Sequence, residues 1–158
     1  MMRALFFIFG VQLCAFPAES KTARLGLVVA QDGVASDVGW KILASGGNAT
    51  DAAVATAFAL AVTHPQAGNI GGGGFIVYRD HDGKAESYDF RETAPAGSKP
   101  DMWLKNGKYS KELHHDSCLS VGVPGTVAGL HLAWKEHGSK PWKELVEPAV
   151  KLAENGFK

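Results

Sequence analysis

The chain has 158 residues, 16 basic against 16 acidic side chains, and 46% apolar residues. A neutral balance lacks the basic surplus that drives binding to nucleic acids or anionic membranes through counterion release. Charged residues at 20%, with 19 glycines and 7 prolines, do not describe a disordered tail; the length suits one ordinary domain or a piece of a larger one.

Residues 1–20 carry Arg3 ahead of an apolar run from Ala4 to Phe16, broken only by Gly10 and Gln12. Ala18 and Ser20 then stand third-last and last before a cut, the pattern of a secretory signal peptide. The run falls short of the about 20 apolar residues a transmembrane span needs, so no membrane anchor is expected. Residues 21–158 form the expected mature part, directed to the periplasm or the exterior. Cys14 would leave with the leader, and Cys118 would then have no partner for an internal disulfide. No basic helix terminus can be read around Cys118, which reads as a buried small hydrophobe and not as a nucleophile.

Leu25 to Ala30 is an apolar run of strand length. Val34, Val38 and Ile42 recur every fourth residue, which is helix spacing, and Gly46-Gly47 supplies the stop. Asn48 follows as an N-cap, with Asp51 three residues on. The helix from Ala52 to Val62 carries alanine on every side, so it should lie packed between other layers, and a chain of this length is expected to lack enough partners for it. After five glycines in Gly68–Gly74, Phe75 to Arg79 reads as a strand, His81–Lys84 as a turn, and Ala85 to Arg91 as a returning strand. In that second strand Ser87, Asp89 and Arg91 share one face, and Glu86, Tyr88 and Phe90 the other. Residues 94–118 resemble a surface excursion. Pro124 to His137 predicts a helix, and Pro141 opens another that Pro148 should divide and Asn155-Gly156 should end. Strand, helices, hairpin and helices in this order argue for mixed α and β in layers.

Several chemistries can be weighed on spacing. The glycine run offers no G-x-G-x-x-G and no following Gly-Lys-Ser/Thr, so it is no phosphate cradle. His114-His115-Asp116 with Cys118 lacks a spacing that converges on one metal ion. No Gly-x-Ser-x-Gly is present for a nucleophile elbow. Arg91, at a strand end between Asp89 and Glu92, admits two readings. It is either a solvated charge cluster or a guanidinium aimed into a cleft, where its planar fork would match a substrate carboxylate.

Three blocks together resemble one family. They are Gly46–Ala55 running on to Thr63–Phe75, Asp89–Ala96, and Gly122–Gly129. In this order they are similar to the N-terminal part of the large subunit of bacterial gamma-glutamyltranspeptidases, also called glutathione hydrolases. The resemblance covers about Leu25 to Lys158. It implies an α+β chain, an incomplete part of a four-layer αββα N-terminal-nucleophile hydrolase fold. It implies a precursor that cuts itself into two subunits, and a new N-terminal Thr, absent from this chain, as nucleophile. The γ-glutamyl group of glutathione and related amides would pass through that Thr to water, or to an amino-acid or dipeptide acceptor. No metal and no cofactor is implied, and no catalytic residue falls in this chain, which alone is expected to be inactive. By position, Arg91 matches the family's arginine that grips the substrate α-carboxylate. The alternative is a truncated, non-catalytic secreted protein that binds a γ-glutamyl or amino-acid ligand through Arg91.

Overall fold

The structure is a computed structural model that describes Ala23 and residues 26–158. The expected leader, residues 1–20, lies outside the described residues, as does Leu25. Five helices and two hairpins follow one another: α1 (Gly33–Ala44), α2 (Ala49–Thr63), β1 (Phe75–Arg79), β2 (Ala85–Asp89), β3 (Leu104–Lys105), β4 (Lys108–Tyr109), α3 (Lys111–His115), α4 (Thr126–His137) and α5 (Trp142–Asn155). None of these helices is long and apolar enough to cross a membrane.

Helix α2 is the centre of the packing. Its Ala52, Val54, Ala55, Phe58 and Ala59 are buried with Val38 and Ile42 of α1, Leu130 of α4, and Leu145 and Ala149 of α5. Partners are thus found on one side of the helix, while Ala53 is exposed and Ala57, Leu60 and Ala61 are only half-buried, so the expected shortage of partners is met in part. The small alanine side chains let α1 and α5 approach closely, and the fourfold spacing of Val38 and Ile42 presents one continuous apolar stripe to them. Both ends of the α1–α2 corner are fixed locally. Gly46, at φ 88°, takes the left-handed conformation that ends α1, with its N–H donating to the Leu43 carbonyl at 2.9 Å. Asn48 and Asp51 then form a reciprocal capping box at the start of α2.

β1 and β2 pair antiparallel, with Phe75 opposite Asp89 and Tyr78 opposite Glu86. Ile76, Tyr78, Glu86, Tyr88 and Phe90 are half-buried, while Phe75, Val77, Ser87, Asp89 and Arg91 are exposed, so the alternation expected for residues 85–91 holds. Regular pairing ends at Asp89, two residues earlier than expected, although the Phe90 N–H still donates to the Gly74 carbonyl at 3.0 Å.

Four expectations are corrected here. Residues 26–30 form no strand, because no neighbouring strand pairs with them among the described residues. α4 begins at Thr126, since Pro124 stands outside the helical turn. Pro148 lies inside α5 without dividing it: Leu145 and Ala149 one turn apart are both buried, and that anchorage outweighs one lost backbone hydrogen bond. Cys118 is exposed on the excursion, in a short 3₁₀ turn with no core beneath it.

Candidate functional site

Arg91 leaves the end of β2 on the exposed face. Its backbone N–H donates to Asp89 Oδ1 at 3.0 Å. Among the described residues, no carboxylate forms an ion pair with the Arg91 guanidinium. Neither flanking acid, Asp89 or Glu92, is paired with the Arg91 side chain. Its side chain instead borders a groove of about 610 Å³ shared with Glu92, Ser98, Met102, Trp103 and Ser120. A guanidinium in that position can offer two parallel N–H donors to a planar carboxylate.

The glycine run supports this corner without supplying chemistry of its own. Asn69 Oδ1 accepts from the Gly72 N–H at 2.7 Å and from Thr126 Oγ1 at 2.8 Å. The Gly72 carbonyl accepts from the N–H groups of Gly125 at 2.8 Å and Thr126 at 3.0 Å. The run is thereby tied to the first turn of α4, and Thr93 bridges Val123 on the far side of Arg91.

A second polar group lies behind the hairpin. The Tyr88 hydroxyl lies 2.6 Å from Glu136 Oε2, 2.7 Å from His137 Nε2 and 3.2 Å from Glu86 Oε2, and Tyr78 stacks on the His137 ring at 3.9 Å. Burial first, and then the two carboxylates, push the Tyr88 phenol well above its ordinary range. Lys84 and then His137 hold the Glu86 carboxyl below its ordinary value. Glu86, Glu136 and His137 could be taken for metal ligands. The Tyr88 hydroxyl stands among their ligand atoms and accounts for the grouping. Sequence reasoning missed this cluster because its members come from positions about fifty apart; the only local signal was Glu86 and Tyr88 on one strand face. His114 of the excursion is engaged by Tyr109, whose hydroxyl lies 2.9 Å from its Nδ1.

The sequence profile described as Gamma-glutamyltranspeptidase matches residues 35–158. The chain belongs to the gamma-glutamyltranspeptidase family. The glutathione hydrolase proenzyme of Escherichia coli K12 is 50% identical over 136 residues, which are 85% of this chain and 23% of that protein. Glutathione hydrolase 2 of Arabidopsis thaliana is 48% identical over 140 residues, 89% of this chain and 24% of that protein. The crystal structure of Helicobacter pylori gamma-glutamyltranspeptidase superposes with a TM-score of 0.84 at 48% identity, covering 88% of this chain and 40% of that one. That of the Pseudomonas nitroreducens enzyme, complexed with L-DON, gives 0.82 at 47% identity. The chain thus spans about a quarter of the length of the curated relatives it matches. Its helices and hairpin are an α+β portion of the αββα N-terminal-nucleophile hydrolase fold of this family, incomplete among the described residues.

Proposed function

We propose that residues 21–158 are the N-terminal portion of the large subunit of an exported enzyme that cleaves γ-glutamyl amides such as glutathione. In this reading the precursor cuts itself, and a Thr supplied by the remainder of the protein attacks the γ-carbonyl. The amine leaves, and the acyl group passes from the Thr oxygen to water or to an amino-acid or dipeptide acceptor. The contribution of this chain is to hold the donor substrate: Arg91 grips its α-carboxylate with a bidentate pair. The observation that carries the reading is an arginine at a strand end, unpaired with its flanking acids and open to a groove of about 610 Å³. Relatives about half identical that are named as glutathione hydrolases support the reaction class. The signal-like pattern of residues 1–20 supports export.

Two measurements on the product of the whole gene test this. An open frame continuing past Lys158 to a Thr-led segment, with a precursor that splits in two on a gel and releases p-nitroaniline from γ-glutamyl-p-nitroanilide, is expected. A stop codon directly after Lys158, or an uncleaved and inert product, would overturn the reaction. N-terminal sequencing of the exported protein is expected to start near residue 21.

A further inference from the structure

The closest packing around the candidate site lies one residue before Arg91. A Cβ on Gly129 of α4 would overlap the Phe90 ring at Cγ and Cδ1, and one on Gly74 would lie 3.0 Å from Cε2 on the opposite edge. The backbone is held as closely. A Cβ on Gly73 would lie 2.6 Å from the Phe90 carbonyl oxygen and 2.8 Å from the Arg91 Cα, and one on Gly125 would overlap that same carbonyl. These walls belong to one frame, because Gly125 and Thr126 donate to the Gly72 carbonyl at 2.8 and 3.0 Å. Four missing side chains therefore set the width of a slot through which the strand passes just before Arg91.

We propose that Phe90 is a positioning residue: its ring, seated between Gly74 and Gly129, fixes the direction in which Arg91 leaves β2 and hence the affinity for the substrate carboxylate. The proposal rests on the reading of Arg91 as the carboxylate grip. A bidentate guanidinium pair requires both N–H donors in the carboxylate plane, so a turn of the backbone at Phe90 that swings the arginine by a fraction of an ångström misaligns both bonds. Gly129→Ala moves the ring and nothing that touches substrate. Phe90→Ala removes the ring and leaves the four glycines as they are.

The test is steady-state kinetics on the self-processed enzyme from the whole gene, with γ-glutamyl-p-nitroanilide as donor and Arg91→Lys measured alongside. Gly129→Ala is expected to raise KM about tenfold with kcat changed less than about twofold, and Phe90→Ala, which leaves the slot without its ring, to raise KM by at least as much. A ring with a merely structural role would lower thermal stability and leave the KM of the folded enzyme alone; that result overturns the proposal, as does a Phe90→Ala variant whose KM stays at the parent value. Should Gly129→Ala not fold, Gly74→Ala presses the opposite edge of the same ring at a distance it can yield to, and an unchanged KM there overturns the proposal equally. If Arg91→Lys itself leaves KM at the parent value, the carboxylate reading fails and Phe90 has nothing to position. If Arg91→Lys raises KM and the glycine variants do not, only the role of Phe90 falls.

Discussion

Replacing Arg91 by lysine keeps the charge and discards the fork. The ammonium is a point charge that cannot make two coplanar bonds to one carboxylate, so ground-state capture of the donor should suffer more than the chemical step. Arg91→Lys is expected to raise KM for γ-glutamyl donors by about tenfold or more, near 1.4 kcal/mol, with a smaller change in kcat. An unchanged KM in a steady-state series would remove Arg91 from the site. Around the guanidinium, the Arg91 backbone N–H donates to Asp89 Oδ1 at 3.0 Å, and neither Asp89 nor Glu92 forms an ion pair with the Arg91 side chain. The sequence could place Arg91 at a strand end between two acids. It could not say that the acids stand aside, because that depends on local geometry and not on residue type. The Tyr88–Glu136–His137 group was still further out of reach, since it forms only when the hairpin folds over the end of α4.

At the scale of elements, the start of α2 does two things at once. Asn48 Oδ1 accepts from the Asp51 N–H at 3.0 Å, and Asn48 Nδ2 donates to the His137 carbonyl at the end of α4 at 2.6 Å. Asn48→Ala removes a helix cap and an inter-helix tie together, and about 2 kcal/mol of stability should go with it, the upper end for caps. Denaturant unfolding of the parent and variant reads this directly; a loss below about 0.5 kcal/mol would mean that the tie to His137 contributes nothing. The cap was legible because Asn followed three residues later by an acid before an apolar run has a local cause. The helices were legible for the same reason, as Val38 and Ile42 repeat at the helical period. The failures share the opposite cause. Pro148 forecasts a break from local chemistry, yet burial of Leu145 and Ala149 keeps α5 whole. Residues 26–30 have the composition of a strand, but a strand needs a neighbour, and composition does not supply one. Cys118 was assigned by the average habit of cysteine, which says nothing about whether a core lies underneath.

Over the molecule as a whole, the helices form a core while one sheet face stays bare. Phe75 is 63% and Val77 81% exposed on the outer face of the hairpin, and Val29 is 80% exposed beside α2. Exposed apolar side chains of this size are what a stretch matching about a quarter of its relatives' length leaves uncovered. The helical side is closed by a single carboxylate. Asp51 is fully buried and accepts from the Asn48 N–H at 2.9 Å, the Ser139 N–H at 3.0 Å, the Ser139 hydroxyl at 2.6 Å and the Lys140 N–H at 3.3 Å. It thereby joins the start of α2 to the turn between α4 and α5. Burial alone would raise its pKa; the hydrogen bonds from Ser139, Asn48 and Lys140 outweigh that and hold the carboxyl below the ordinary aspartate value of 3.8. Because the folded pKa is depressed, the stability Asp51 provides is complete above that ordinary value and is lost as pH falls through the lower folded one. The half-buried Glu86 and Glu147, whose carboxyls are also held low by lysine partners, add little to this limb because solvent still reaches and screens those pairs. Asp51→Asn keeps the size and removes the titration, while turning one acceptor into a donor that faces N–H groups. At pH 7 it should cost about 3 kcal/mol. Between pH 5 and pH 2 its stability should fall less steeply than the parent's, so the two unfolding curves converge in acid. Parallel curves over that range would show that a different group controls the acid limb.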